Sequence, residues 1–223
     1  MLIRLKKVLG QKELIRVKDL LDCANFVDGK ISAGDVAARV KNNQEVARDD
    51  PILERLNQVV IGNLIRHKTY QHAVLPVKIA SPFYVRYESG MSYGEHIDDP
   101  IMGAEQKYRS DVAITIFLNE PTDYQGGELC IHTEFGEQKL KYAAGDALIY
   151  PATTRHKVAE ITQGERFVAV TWAQSIIKDM EQRNLLYQLS CAREKLLRKQ
   201  SNEEHTKQVD LVYVNLVRKW SEL

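Results

Sequence analysis

Three residues of the 223-residue chain have the types and the spacing of a metal site. His96 and Asp98 stand two apart in a segment rich in β-forming residues, and residues i and i+2 of a strand point to the same face. His156, which follows the run Gly145-Asp-Ala-Leu-Ile-Tyr-Pro151, is the candidate for a third ligand. Two imidazoles and one carboxylate on one face of a metal leave its other positions open, which is typical of non-haem Fe(II) oxygenases.

The His-x-acid spacing has little specificity by itself. Six histidines and 30 acidic residues in this chain would produce about 0.8 such matches by chance. A second match does occur, at His132-Thr-Glu134. His132 runs into a predicted hairpin turn, Glu134-Phe-Gly136, so we expect it at a solvated rim and not at a metal. An ordinary polar strand position is the alternative interpretation of the His96 pair.

Two further side chains suit a site that holds an organic acid. Arg166 begins a predicted strand that runs to Trp172, and a guanidinium pairs with a carboxylate through a two-point fork. Tyr93, three residues before His96, offers a phenolic donor. The alternatives are a surface charge beside Glu165 for Arg166 and a packed aromatic ring for Tyr93.

Short β-branched and aromatic runs predict a β core from about residue 77. Turn signals such as Gly126-Gly127, Ala144-Gly145-Asp146 and Gln163-Gly164 separate these runs. Strands are expected near 78–87, 94–98, 112–118, 128–132, 138–142, 147–150, 157–161 and 166–173. Eight short strands with regular turn signals are typical of a sandwich or jelly roll.

Helical periodicity frames this core on both sides. Residues 11–24 carry apolar side chains at helical spacing, and a second helix is predicted to begin at Asp49-Asp50-Pro51. The polar segment 40–45 matches neither pattern. After Gln174, two apolar stripes predict a helical hairpin that either packs on the β core or builds a homodimer. The chain is therefore predicted to be α+β, with residues 1–175 as one domain and 176–223 as a helical appendage.

Composition indicates which kinds of partner and which cellular compartment to expect for this protein. Lys and Arg total 31 against 30 Asp and Glu, which gives no support to nucleic-acid or polybasic membrane binding. The longest apolar stretch, 59–65, is far shorter than the ~20 residues of a membrane span. Cys23, Cys130 and Cys191 are widely spaced and form no CxxC, so neither a disulfide framework nor a zinc ribbon is indicated. We expect a cytoplasmic protein without nucleic-acid or membrane partners.

Five segments, in order along the chain, match one known pattern. Arg86-Tyr-Glu-Ser-Gly-Met-Ser-Tyr-Gly-Glu-His-Ile-Asp98 resembles a Tyr-x-x-Gly-x-x-Tyr-x-x-His-x-Asp signature, and Gly126-Gly-Glu-Leu129 resembles its Gly-Gly-Glu-Leu turn and strand. The run from Gly145 to His156-Lys-Val158 resembles the segment before the distal histidine. Together they resemble the prolyl 4-hydroxylase-like branch of the Fe(II)/2-oxoglutarate-dependent dioxygenases. Val40-Lys-Asn-Asn-Gln44 and the tail Arg218-Lys-Trp-Ser-Glu-Leu223 are similar to the bacterial PKHD-type hydroxylases.

This resemblance implies a fold and an activity. The core would be a double-stranded β-helix (a jelly roll) with N-terminal supporting helices and a C-terminal helical hairpin, and residues 1–175 would form the dioxygenase domain. His96, Asp98 and His156 would bind Fe(II), and a substrate would be hydroxylated with release of succinate and CO2.

The resemblance also implies how the co-substrate is held. Arg166 would pair with the distal carboxylate of 2-oxoglutarate, and the Tyr93 hydroxyl would help to hold that carboxylate. Arg86 and Asn42-Asn43 are expected to line the substrate side of the pocket. Dependence on ascorbate is an expectation of the family.

Two other classes of protein stay open at this stage. A sensor would bind the metal and 2-oxoglutarate without turnover and would use the helical tail as a partner interface. A cupin-like metalloprotein would use another metal, although such sites recruit more histidines and the sequence supplies no clear fourth ligand. For an enzyme, the substrate is either a small molecule or a protein side chain, and bacterial relatives lead us to expect a link to iron uptake.

Overall fold

Two facing β-sheets form the centre of the computed structural model, which describes residues 1–103 and 106–222. The end of the predicted appendage, Leu223, lies outside the described residues. The helices are α1 (Gln11–Asp22), α2 (Asp35–Ala38), α3 (Ile52–Leu64), α4 (Lys68–Val74), α5 (Met180–Lys199) and α6 (Glu204–Trp220), with a 3-10 turn at Gly29–Ser32. The strands are β1 (Ile3–Leu5), β2 (Phe26–Asp28), β3 (Lys41–Asn42), β4 (Gln44–Val46), β5 (Pro76–Ile79), β6 (Phe83–Tyr87), β7 (Ser92–His96), β8 (Ile101–Met102), β9 (Tyr108–Arg109), β10 (Val112–Phe117), β11 (Tyr124–Gly126), β12 (Leu129–Thr133), β13 (Gly136–Leu140), β14 (Ala147–Pro151), β15 (His156–Val158), β16 (Ile161–Gly164) and β17 (Arg166–Ser175).

The sheets have the topology of a double-stranded β-helix. The larger sheet runs β1-β14-β10-β17-β6-β4-β2, and β5 also pairs with β17. The smaller sheet runs β13-β12-β15-β7-β3. Strand pairs in both sheets are antiparallel. The predicted α+β class and jelly-roll core are confirmed.

The larger sheet is buried on both faces, and its sequence shows this. Every residue of β10, Val-Ala-Ile-Thr-Ile-Phe, is buried, as expected for a strand covered on two sides. Ile114 and Ile116 face a layer that includes α1 and α3. Ala113 and Phe117 face the interior between the two sheets. That interior is the chamber into which the candidate site residues project.

Helices brace the outer face of the larger sheet. α1 packs on α3, and both contribute to one apolar cluster with the sheet. α3 begins directly after Asp49-Asp50-Pro51, where Asp50 Oδ1 accepts the Ile52 N–H at 2.9 Å. α5 and α6 form the predicted hairpin, which reaches the core by packing α5 on α4. Within the described ranges, no helix is both long and apolar enough to cross a bilayer.

Several predicted strands have different bounds in the structure. The strand predicted at 78–87 is two strands, because Pro82 has no N–H to donate and β5 and β6 pair with different stretches of β17. The strand predicted at 94–98 ends at His96, so Asp98 lies beyond it. The strand predicted at 157–161 is likewise two strands, since β15 pairs with β12 and β16 with β11.

Strands before residue 77 were not predicted and extend the core. The polar segment 40–45 crosses from one sheet to the other: β3 pairs with β7 in the smaller sheet, and β4 pairs with β6 in the larger. Strands of two or three residues are too short to show an alternating pattern. The side chains of Lys41, Asn43 and Glu45 are nevertheless buried, so this polar segment forms an inner wall of the fold.

Candidate active site

The three sequence-predicted metal ligands meet inside the chamber. One ligand atom from each of His96, Asp98 and His156 lies within 4.8 Å of the others. His96 ends β7 and is paired in register with His156, which begins β15, so their ring centroids are 4.3 Å apart. Asp98 Oδ1 lies 3.9 Å from His156 Nε2. Asp98 is positioned by the irregular segment after β7 and not by the strand alternation that the sequence suggested.

Backbone carbonyls fix the tautomer of both histidines. His96 Nδ1 lies 2.8 Å from the carbonyl oxygen of Gly94, and His156 Nδ1 lies 2.9 Å from that of Thr154. Because a carbonyl oxygen only accepts, each Nδ1 carries a proton, and in the neutral form of either ring the lone pair lies on Nε2. Burial, aided by the neighbouring His156, lowers the pKa of His96 to about 4. His96 is therefore a neutral ligand at neutral pH.

The carboxylate of Asp98 lies in an environment where a bound cation would stabilise its charge. Burial raises the pKa of Asp98, because an unpaired charge is costly away from water. Its Oδ2 atom is buried and has no hydrogen-bond partner among the described residues, and the same holds for the indole Nε1 of Trp172, which faces that carboxylate. A bound divalent cation would stabilise the ionised form, so the donor set suits a metal.

Arg166 is buried at the far end of the same chamber. It is 1% exposed, which excludes the alternative of a surface charge. It lies opposite Tyr87 in register, with Cζ 5.1 Å from the Tyr87 ring centroid and 5.9 Å from that of Phe117. Its Nε and Nη1 atoms have no hydrogen-bond partner in the described part of the chain. Buried donors without partners are rare in folded proteins, so this cation is prepared for an anion that is not part of the chain.

Tyr93 lies against His96, one of the candidate metal ligands. Its ring stacks on His96, with centroids 3.7 Å apart and an interplanar angle of 14°. The tyrosines next to Arg166 are Tyr87 and Tyr124. Burial raises the pKa of both hydroxyls, and the nearby guanidinium offsets part of this rise. The Tyr124 hydroxyl is buried without a partner in the described ranges.

One pocket of about 110 Å³ is lined by all five sequence-predicted site residues. Its other walls include Lys41, Asn43 and Glu45 from the segment that joins the sheets. Asn43 therefore lines the pocket as expected, although it donates to the Tyr87 hydroxyl at 2.9 Å, beside Arg166, and Asn42 instead donates to the Gly90 carbonyl. Arg86 does not line the pocket, and that expectation is wrong, because its neighbour Tyr87 takes the inward position and Arg86 Nε donates instead to Gln44 at 2.8 Å.

His132 lies on the outer face of the smaller sheet, as its turn context predicted. Its Nε2 atom is 2.7 Å from Glu95 Oε2, and its side chain is 29% exposed. Glu95 precedes His96 on β7, and neighbouring strand residues point to opposite faces. The two His-x-acid matches are thus separated by the thickness of the sheet.

Sequence comparison identifies the family. A model of the 2OG-Fe(II) oxygenase superfamily matches residues 82–174. A PKHD-type hydroxylase of Thioalkalivibrio sulfidiphilus is 45% identical over 100% of both chains, and one of Acaryochloris marina is 42% identical over 100% of both. The chain belongs to the PKHD-type hydroxylases. This family membership makes the protein an Fe(II)/2-oxoglutarate-dependent hydroxylase, and it speaks against the cupin-like and non-catalytic alternatives.

Solved structures share the fold of this hydroxylase at low sequence identity. A Pseudomonas putida prolyl-4-hydroxylase aligns with a TM-score of 0.54 at 14% identity, over 78% of this chain and 92% of that chain. A Trichoplax adhaerens prolyl hydroxylase, in complex with a peptide of hypoxia inducible factor, aligns at 0.55 and 18% identity over 82% and 86%. HygX of Streptomyces hygroscopicus, with nickel, 2-oxoglutarate and hygromycin B bound, aligns at 0.54 and 12% identity over 79% and 84%.

The sequence analysis of this hydroxylase missed several residues of the chamber. Trp172 shares the inward face of β17 with Arg166, and a spacing of six residues on one strand was a usable signal. Tyr87 is the first tyrosine of the quoted signature and was not singled out. Lys41 and Glu45 had no signal, because their segment showed no strand pattern.

Proposed function

We propose that His96, Asp98 and His156 hold Fe(II), and that Arg166 binds the distal carboxylate of 2-oxoglutarate in the same chamber. One observation carries this proposal: a buried guanidinium with two nitrogens that lack partners among the described residues shares a pocket with two imidazoles and one carboxylate. When bound, iron and 2-oxoglutarate together supply the oxidising chemistry that uses O2 to hydroxylate a C–H bond and releases succinate and CO2.

The protein's own groups then have distinct tasks. His96 and His156 present Nε2 lone pairs because their Nδ1 protons are held by backbone carbonyls. The Tyr93 ring supports His96 by stacking, and its hydroxyl is a donor available to bound 2-oxoglutarate. Tyr87 and Tyr124 add hydroxyl groups beside Arg166.

Apolar side chains form part of the wall of this chamber. Leu129 and Val158 line the pocket from the smaller sheet, and Val85 lines it from the larger. All three are buried. In such surroundings a guanidinium–carboxylate pair is much stronger than in water, and reactive species are shielded from side reactions.

A co-substrate assay tests these assignments. Full-length protein is loaded anaerobically with Fe(II), and succinate is measured after O2 is admitted at several 2-oxoglutarate concentrations. We expect Arg166→Ala to need far more 2-oxoglutarate than wild type, since truncating one side of a buried charge pair costs roughly 2–5 kcal/mol. Arg166→Lys should recover part of the loss. Equal 2-oxoglutarate dependence of wild type and Arg166→Ala would contradict the assignment.

The proposal also covers the substrate class and the dependence on ascorbate. A small molecule or a peptidyl group both suit an open pocket, and ascorbate dependence rests on the family resemblance alone. Measuring succinate formation with and without ascorbate, at equal iron loading, tests the dependence on ascorbate. A drop in turnover number without ascorbate is the expected result.

Domain limits and assembly complete the proposal. Residues 1–175 would form the dioxygenase domain and 176–223 the helical appendage, through which two chains would pair. Leu185, Leu211 and Val212 on the appendage are 56%, 62% and 48% exposed, which supports an apolar contact. Light scattering of wild type beside Leu211→Glu tests the dimer, and a monomeric wild type would rule it out.

A cytoplasmic location is also part of the proposal. Its support is that Cys23, Cys130 and Cys191 are all free thiols, which suits a reducing compartment. Cell fractionation with a cytoplasmic marker enzyme tests it. Recovery of the protein outside the cytoplasmic fraction would contradict it.

A further inference from the structure

A buried ion pair lines the active-site chamber and has no part in the roles assigned so far. The segment 40–45 crosses between the sheets and points Lys41 and Glu45 inward, where their side chains are each 7% exposed. Lys41 Nζ lies 2.5 Å from Glu45 Oε1 and donates to Ser32 Oγ at 2.9 Å. Both charged residues line the pocket that holds the candidate iron ligands.

The Lys41–Glu45 ion pair is not needed to hold the segment 40–45 in place. Desolvating two charges costs about as much as their attraction returns, and apolar replacements of a buried pair are often neutral or stabilising. The segment is already held by backbone pairing of β3 with β7 and of β4 with β6, and Gly94 N–H donates to the Val40 carbonyl at 2.8 Å. A charged pair at this place therefore points to a ligand.

The ammonium group of Lys41 lies close to the candidate iron ligands. Lys41 Nζ lies 5.4 Å from the ring centroid of Tyr93, the ring that stacks on His96, and 6.0 Å from that of Phe83. Among residues 1–103 and 106–222 it has two hydrogen-bond partners, Ser32 and Glu45. An ammonium has three N–H donors, so one is left for a group in the pocket.

This donor is separate from the co-substrate end of the chamber. Arg166 lies opposite Tyr87 and Val170 lies opposite Phe83 along β17 and β6. Four residues of strand span about 13 Å. Lys41 Nζ lies 6.0 Å from the Phe83 ring centroid and Arg166 Cζ lies 5.1 Å from that of Tyr87, with the candidate iron ligands in the same pocket. The two cations thus suit two different anions.

We propose that Lys41 binds a carboxylate of the molecule that is hydroxylated, and that Glu45 is a positioning residue that holds the ammonium for it. The surrounding wall is apolar and aromatic: Phe83, Met102, Val170 and Trp172. The substrate class is therefore a carboxylic acid with an apolar or aromatic body, whose acid group lies on the Phe83 side of the metal. This inference rests on the function proposed above, because it takes iron and 2-oxoglutarate to occupy the rest of the pocket.

The test uses full-length protein loaded anaerobically with Fe(II) and saturating 2-oxoglutarate, with benzoate as the probe and neutral benzamide as its matched control. Binding is measured by calorimetry and by the change in the iron–2-oxoglutarate charge-transfer absorbance. We expect benzoate to bind wild type and to bind Lys41→Met roughly tenfold more weakly or worse. Benzamide should not distinguish the two proteins.

Two further variants keep the result interpretable. Lys41→Met leaves Glu45 buried without a partner, so the double variant Lys41→Met/Glu45→Gln, which removes both charges, is measured beside it and should show the same loss. Arg4→Met breaks another ion pair, Arg4 Nη2 to Asp146 Oδ2 at 2.5 Å, outside the pocket, and should bind benzoate like wild type.

The outcomes separate this inference from the function on which it depends. An intact absorbance band with no benzoate binding, or with equal binding in wild type and in the double variant, would overturn the role of Lys41 alone. Absence of the band from wild type would overturn the proposed iron and 2-oxoglutarate assignments, and this inference with them.

Discussion

His96 and His156 lie directly opposite each other across two antiparallel strands, with ring centroids 4.3 Å apart. They are sixty positions apart in the sequence, yet the pairing of β7 with β15 sets their separation. Each ring is oriented by a carbonyl two residues before it in the chain. The approach of the two imidazoles is therefore a product of strand register, whereas Asp98 joins them from the segment after β7.

Replacing His96 should abolish iron binding, whereas replacing His132 should not. His96→Ala removes one of three ligands and leaves the cluster with His156 and Asp98. We expect loss of Fe(II) binding by calorimetry and loss of 2-oxoglutarate-dependent succinate. His132→Ala is the matched control, because that imidazole lies on the other face of the smaller sheet. Normal iron affinity in His96→Ala would disprove the ligand assignment.

Gly127 should tolerate no side chain. Its φ is +67°, and an added Cβ would lie 2.2 Å from Ile161 Cδ1 and 3.0 Å from Arg166 Cδ. Gly127→Ala should lower the free energy of unfolding by about 2 kcal/mol or more and also weaken 2-oxoglutarate binding, since Arg166 must move.

Gly136 supplies the control for that substitution. Its φ is +104°, but no atom of the described residues lies within 4 Å of an added Cβ. Gly136→Ala should therefore cost stability through backbone strain while 2-oxoglutarate affinity stays at the wild-type value. Equal 2-oxoglutarate affinity in the two alanine variants would show that Gly127 has no part in placing Arg166.

Trp172 should tune the metal site through Asp98. Its indole N–H faces the Asp98 carboxylate, and groups that orient a metal ligand typically change metal affinity 10–100-fold when they are lost. Trp172→Phe keeps an aromatic ring and removes the donor, so we expect weaker Fe(II) binding by calorimetry at an unchanged melting temperature. Trp220→Phe in α6 is the control. An unchanged iron affinity in Trp172→Phe would remove the indole from the site.

Arg183 should anchor the C-terminal hairpin. It is 3% exposed, and its Nη1 donates to the carbonyls of Ile177 and Lys178 at 2.7 and 2.9 Å. Arg183→Met would leave those carbonyls without their donor, which costs about 1–3 kcal/mol. Chemical denaturation measures this. The exposed Arg198 on the same helix, changed to Met, should have no measurable effect, and equal stability of both variants would refute the anchoring role.

The sequence by itself determined which chemical groups are available at the candidate site. Imidazole, carboxylate and guanidinium side chains at His96, Asp98, His156 and Arg166 indicated a metal site with a partner for an organic acid. The strands β10, β14 and β17 could also be predicted, because each has enough apolar residues to indicate a buried strand. The helices next to the core showed their apolar stripes for the same reason.

Only the tertiary structure decided which side chains meet in the chamber. The sheet-crossing segment with Lys41 and Glu45 is polar, and its strands have two and three residues, so no periodic signal marks it. Its inward face exists because β3 and β4 pair with different sheets. Asp98 likewise reaches the two histidines from the irregular segment beyond β7. Contacts of this kind depend on pairing between distant segments, which local sequence patterns do not contain.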